Sequence, residues 1–437
     1  MPSGGNEPGG RIENTVLLKW FRLAILALAL IGLFNVYSST FYMNIETGTT
    51  PYFHTMRHIG YLCTGIVGMM ACQTISLERL RRFLGPICLA ICFLFVLVWA
   101  AGPVINGAQR WIRIFGISIQ PSEFAKVAAV LWTASCLAER VRHGRPVTFL
   151  SEAVCWLRKM PCRGKVPTGS DAAGAYVPLA FPAVFSLFVF LQPDMGTSVL
   201  ILAFPVALYM LCGVPGKDIA VSLLLAGAAG AAMILFSPYR LERVRVMYDP
   251  FQYAADQGYQ VVQSLIAVGS GGFWGQGIGE GLSKFLYLPE QYTDFAFAVL
   301  SQELGFLASG FVLFLFAVVL ALGFRMAGDI PRLYPALIVY GLTMLISVEG
   351  FLNIAMVIGI FPVTGVPLPF ISFGGTSLVS NLCAVGLISN AVKYGEKMRA
   401  QDEREQKLKA LAGEPVSLQK ISGAVFRPPA GEWMNRH

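Results

Sequence analysis

Charge is scarce in this chain. Asp, Glu, Lys and Arg supply only 13% of its 437 residues, about half the ~25% of a globular domain. That shortage excludes a charge-coated soluble domain. Histidine is rarer still: His54, His58, His143 and His437 show no metal-ligand spacing, which argues against a histidine zinc site. The nine cysteines are scattered through apolar runs, apart from Cys155 and Cys162 in a basic loop. They do not read as a disulfide framework. A Gly-rich stretch, Gly269 to Gly281, has neither a preceding strand nor a following Walker lysine, so it is not a phosphate-cradling loop.

What fills the sequence instead is hydrophobic residue, 55% of the total. Apolar runs of about 18 residues or more recur from 19 to 395, each long enough for a bilayer core of ~30 Å. The pattern predicts an all-α polytopic integral membrane protein with ten transmembrane helices, at about 19–38, 57–75, 83–101, 121–138, 176–192, 196–213, 218–236, 294–322, 333–358 and 374–393. The first run lacks a small-residue cleavage site and reads as a retained span. Residues 1–18 form a Gly/Pro-rich tail, 19–395 the membrane domain and 396–437 a charged tail, expected as a short surface helix and a flexible end.

Most basic residues fall in loops of one side, including Arg79, Arg81, Arg82, the 139–175 loop and the C-terminal tail. That is the positive-inside pattern, and it places both termini in the cytoplasm. The formal charge of +8 therefore points to anionic lipid headgroups and not to nucleic acid. The fifth and sixth spans are joined by the short turn Gln192-Pro193-Asp194-Met195-Gly196-Thr197. The long loop of 237–293, between the seventh and eighth spans, lies outside.

Exceptions on the charge-poor outer side are candidate chemistry. Arg110 sits in a short outer loop; Arg240, Arg243, Arg245 and Lys284 sit in the long one. Guanidinium groups so close in sequence can converge on a phosphate. Asp294, in Leu288-Pro289-Glu290-Gln291-Tyr292-Thr293-Asp294-Phe295, opens the eighth span. A carboxylate at a span edge is costly and usually functional, as a general base at the water boundary; the same position suits a helix N-cap. Glu303, nine residues on, points from the opposite face, about 14 Å away along the axis.

Further candidates lie deeper. Gln120-Pro121-Ser122-Glu123-Phe124-Ala125-Lys126 opens the fourth span. Glu123 and Lys126 can pair at i,i+3, or the lysine can help hold an anionic substrate. Glu349 and Asn353 share one face of the ninth span and should face the interior or a water-filled cavity. The run from Phe361 to Ser377, with Pro362, Pro367 and Pro369, cannot form a regular helix. Such backbone must be shielded or line a cavity, as a lipid-accepting groove or a packed re-entrant turn.

In order along the chain, Asn106 to Trp111, Gln120 to Lys126, Gln192 to Thr197, Gly258-Tyr259-Gln260 with Gln263-Ser264, Leu288 to Phe295 and Pro362 to Ser377 resemble the motifs of the SEDS family (shape, elongation, division and sporulation). The resemblance covers roughly 19–395, and the loop from Gln263 to Tyr287 is most similar to the division member. It implies a ten-span fold and a peptidoglycan glycosyltransferase polymerising lipid II, an undecaprenyl-pyrophosphate-linked disaccharide-pentapeptide, at the septal cytoplasmic membrane. It also implies a class B penicillin-binding transpeptidase and other division proteins as partners. The family's essential loop aspartate falls on Asp294. Substrate-binding residues are expected among Arg110, Glu123, Lys126, Arg240, Arg243, Lys284, Glu349, Asn353, Ser372, Thr376 and Ser377. No protein-held metal site is expected, although a divalent cation, magnesium or manganese, could share the pyrophosphate charge. Tyr292 stands where the family often has His, Glu349 where Gln is usual, and Phe373 and Thr376 where Tyr and Ser are usual. A transporter of the same lipid and a non-catalytic division scaffold are the rival readings.

Overall fold

A computed structural model describes residues 14–104, 107–114, 117–143, 177–214, 238–256, 258–284 and 288–412, with scattered positions between 216 and 230. Helices dominate: α1 (Asn14–Glu46), α2 (Phe53–Thr74), α3 (Leu77–Ala101), α4 (Pro121–Arg142), α5 (Ala180–Leu191), α6 (Met195–Leu211), α7 (Pro238–Tyr248), α8 (Tyr259–Ser270), α9 (Ala296–Gly328), α10 (Leu333–Val357) and α11 (Gly375–Leu411). An antiparallel hairpin, β1 (Ile112–Ile114) with β2 (Ile117–Ile119), pairs Arg113 with Ser118. α1, α3, α9, α10 and α11 are long and apolar enough to cross a membrane; α5 and α6 are apolar but shorter. The expected seventh span and the 144–176 part of the basic loop lie mostly or wholly outside the described residues.

Local chemistry explains the boundaries. Pro121 occupies the first turn of α4, where its missing N–H costs nothing. Asp194 caps α6, its Oδ1 accepting from the Thr197 amide at 3.2 Å, and the three-residue turn before it folds α5 back on α6. The two helices are stitched by Ser186 and Ser198, whose hydroxyls lie 2.8 Å apart. Hydroxyls buried among apolar helices need such partners.

α10 is buried along most of its length and contacts α4, α6, α9 and α11; α2 and α11 form the most extensive helix pair. α11 runs unbroken from Gly375 to Leu411, so the charged segment expected as a separate surface helix continues the last span. Ion pairs one turn apart, Arg399 with Glu403 and Lys409 with Glu405, suit an exposed helix.

α9 is kinked. Gly305 has φ +74°, and the ladder breaks there. The Gly-rich run supplies the missing partners: Gln276 and Gly277 donate to the carbonyls of Gln302 and Glu303, and the amides of Phe306 and Leu307 donate to Gly272 and Phe273. A β-carbon at Gly305 would overlap the backbone of Gly275, so the loop's glycines are needed for contact. Residues 296–303 of α9 are buried, whereas Phe306, Phe311 and Phe314 face outward.

Candidate active site

Asp294 lies in the turn before α9. Phe295, not Asp294, occupies the N-cap position, and no side chain caps the helix. The carboxylate is therefore not used up by capping. The turn is held from several sides. Asn353 on α10 donates to the Asp294 carbonyl at 2.8 Å and to the Val366 carbonyl at 2.7 Å. Gln291 donates to the Ser39 carbonyl of α1, and Asn35 to Ala296. The Phe373 amide donates to the Tyr292 carbonyl at 2.8 Å. Asp294 thus joins the prolyl segment 361–374, α10 and α1 at one point.

The Asp294 side chain is half-buried and closely surrounded. Its Oδ2 would sit 3.5 Å from a β-carbon at Gly365, which has φ +71°; glycine there relieves the left-handed backbone. Burial pushes the carboxyl up to about 7, Glu290 and Asp194 push the same way, and Arg110 and Arg243 pull it down. A group poised near neutrality can both take and release a proton.

Two guanidinium groups flank this carboxylate. Arg110 donates to the carbonyls of Gln192, at 3.1 Å, and Pro193, and lies 3.9 Å from Asp194. Arg243 on α7 donates to the Val363 carbonyl at 2.5 Å. Each cation pins one loop. Burial raises the Asp194 carboxyl, against the pull of Arg110 and the Thr197 amide. The side chains of Arg240 and Lys284 lie outside the described part.

The other candidates form a separate, deeper group. Lys126 Nζ lies 3.1 Å from Glu123 and 2.5 Å from Glu349, and all three are fully buried. Two carboxylates share one ammonium, which faces Glu123 Oε2 and Glu349 Oε1, and Glu349 Oε2 lacks a hydrogen-bond partner. Ser372 accepts from the Leu368 amide, Thr376 donates to the Ser118 carbonyl and accepts from the Gln120 amide, and Ser377 accepts from Asn381. Their hydroxyls brace the prolyl segment, the hairpin and the start of α11. Asn353 bridges the groups: it holds the Asp294 turn one helical turn from Glu349.

Sequence reading alone passed over His54. Its ring packs 5.6 Å from Tyr292 and 5.3 Å from Phe373 and its Nδ1 lies 2.5 Å from Asn44 Oδ1. The aromatic residues at 292 and 373 so meet an imidazole delivered by another helix. Among the described residues no three His, Cys, Asp or Glu side chains gather to hold a metal ion.

Comparison with known proteins agrees with this architecture. Stage V sporulation protein E of Bacillus subtilis is 34% identical over 84% of this chain and 95% of its own length. The probable peptidoglycan glycosyltransferase FtsW of Alkalilimnicola ehrlichii is 34% identical over 89% of this chain and 92% of its own. Among solved structures, a chain of a peptidoglycan synthase complex that coordinates polymerization and crosslinking superposes with TM-score 0.66, at 24% identity, over 86% of this chain and 97% of that one. The rod shape determining protein RodA of Thermus thermophilus gives TM-score 0.59 at 23% identity, over 85% and 95%. These likenesses fix the fold as that of a multi-pass membrane protein. The profile of the cell cycle protein family of FtsW, RodA and SpoVE matches residues 19–397, and this chain belongs to that family.

Proposed function

We propose that this peptidoglycan glycosyltransferase polymerises lipid II on the outer face of the cytoplasmic membrane, at the division septum, with Asp294 as general base. Asp294 takes the proton from the 4-hydroxyl of the acceptor sugar. The oxygen attacks the anomeric carbon of the donor, the bond to the undecaprenyl pyrophosphate breaks with its electron pair, and the configuration inverts. Base assistance of this kind typically gives about 10² to 10⁴ in rate. Arg110 meets the charge on the departing pyrophosphate.

The observation that carries this reading is a half-buried carboxylate held between two cations at the end of a membrane helix. Both lipid tails stay in the bilayer, so sugars joined near the interface need a base at that height. The ten-span topology, with 237–293 outside and both termini inside, follows from the basic loops and completes the picture. A class B transpeptidase is the proposed partner. The test is polymerisation of labelled lipid II by purified Asp294→Ala protein with that partner; a wild-type rate removes the base assignment.

A further inference from the structure

A cavity of about 480 Å³ lies between α7, α8 and the prolyl segment. It opens beside the Asp294 turn: Pro289 and Val363 line it, and Val363 is two residues from the Gly365 that faces Asp294. Its size falls in the ~300–1,000 Å³ range of small-ligand sites. The Gly258-Tyr259-Gln260 motif, which the chemistry above does not use, forms part of its wall.

The polar groups of this wall are of mixed sign. Arg243 supplies a cation, Asp256 an anion and Gln260 an amide. Among the described residues the Asp256 and Gln260 side chains make no hydrogen bond to protein. The first turn of α8 starts here, with Gly258 at its N-cap; the Gly258 and Tyr259 amides donate to the Tyr253 and Asp256 carbonyls, and those of Gln260 and Val261 are left to add donors at the same wall. Met247, Val261 and Phe361 make the remainder apolar. A polyprenyl chain has no use for such polar groups. The disaccharide offers hydroxyl and acetamido groups but no free carboxylate, because its lactyl carboxyl is taken up in the amide to the peptide. A pentapeptide carries both a terminal carboxylate and a row of N–H donors.

We infer that this cavity binds the stem peptide of one lipid II substrate: Arg243 and the α8 amides take a carboxylate, and Asp256 and Gln260 take backbone N–H and C=O groups. The inference rests on the polymerase reading and names a specificity subsite of that same site. Asp256 and Gln260 touch substrate here but not the reacting atoms, so they set KM and leave kcat alone.

The test compares two substrates, lipid-linked disaccharide with the full pentapeptide and with a single amino acid, on the full-length chain with its transpeptidase. The double variant Asp256→Asn, Gln260→Ala raises KM about tenfold for the pentapeptide substrate, the loss of roughly two hydrogen bonds. With the single-residue substrate its KM and kcat stay at wild-type values, which also shows that the variant folds. Equal changes with both substrates, or no change with either, overturn the inference. Asp294→Asn separates the two readings. It loses about 10² to 10⁴ of rate with both substrates if the base assignment holds; full activity there defeats the base assignment and leaves the peptide subsite to be judged by the double variant, whereas no polymer from the wild-type chain defeats the polymerase reading.

Discussion

On the proposed mechanism the acid limb of the pH profile reports directly on Asp294. The base works only when ionised, and its carboxyl is raised to about 7. The ionised fraction is therefore about one tenth at pH 6 and about nine tenths at pH 8, so kcat/KM should be about tenfold lower at pH 6 than at pH 8. Two neighbours give the direction of further change. Glu290 raises the Asp294 value and Arg243 lowers it. Glu290→Gln should move the acid limb to lower pH, and Arg243→Gln should move it to higher pH. Asp294→Asn should remove the limb and about 10² to 10⁴ of rate. The assay is lipid II polymerisation in liposomes from pH 5.5 to 8.5, with product resolved by gel. The stability side has the opposite sense. A carboxyl raised on folding contributes stability below its ordinary value, 3.8, and loses it as pH rises through about 7. Asp294→Asn should thus melt higher than wild type at pH 8 and level with it near pH 4. A flat rate profile, or a Glu290→Gln limb displaced upward, refutes the reasoning.

Three other outcomes are expected. Lys126→Met leaves Glu123 and Glu349 buried without a cation and should cost about 3–5 kcal/mol, whereas Glu349→Gln removes one of the two carboxylates and should melt at or above wild type; scanning fluorimetry in detergent distinguishes them, and a Lys126→Met protein as stable as wild type contradicts the pairing. Asn353→Ala frees the Asp294 and Val366 carbonyls and should lower kcat by about ten- to a hundredfold, the scale of a small misplacement of a catalytic group, with little change in KM from steady-state assays. Gly305→Ala forces a β-carbon into Gly275 at positive φ and should destabilise by at least about 1–3 kcal/mol; a melting temperature equal to wild type would show that the loop does not grip the kink.

Much of this was legible one helix at a time. Hydropathy marked the long apolar helices α1, α3, α9, α10 and α11, and Asp294 stood out as a carboxylate at the start of an apolar run. The Glu123–Lys126 pair follows from a three-residue spacing. That Glu349, 223 residues away, completes it could not be read, because no local rule relates α4 to α10. The clamp of Arg110 on the 192–194 turn and the approach of His54 to Tyr292 are likewise contacts between distant segments. Glycines 269–281 signalled close packing, but their partner, the broken turn at Gly305, carries no sequence mark beyond one glycine in a long helix. The charged end of α11 misled as a separate element because composition changes at 396 while the backbone does not.

Among the described residues the groups proposed to react sit beside the ends of helices. Asp294 lies two residues before α9, Asp194 caps α6, and Arg110 lies between the end of α3 and the β1 hairpin. α3 and α9 are long and apolar enough to cross a membrane, and on the proposed topology a bilayer that thickens or thins retilts these rods and changes the spacing of their tips. Acyl-chain length is therefore a variable of catalysis for this fold, and turnover in short-chain and long-chain liposomes should differ even when every residue and the pH are held constant.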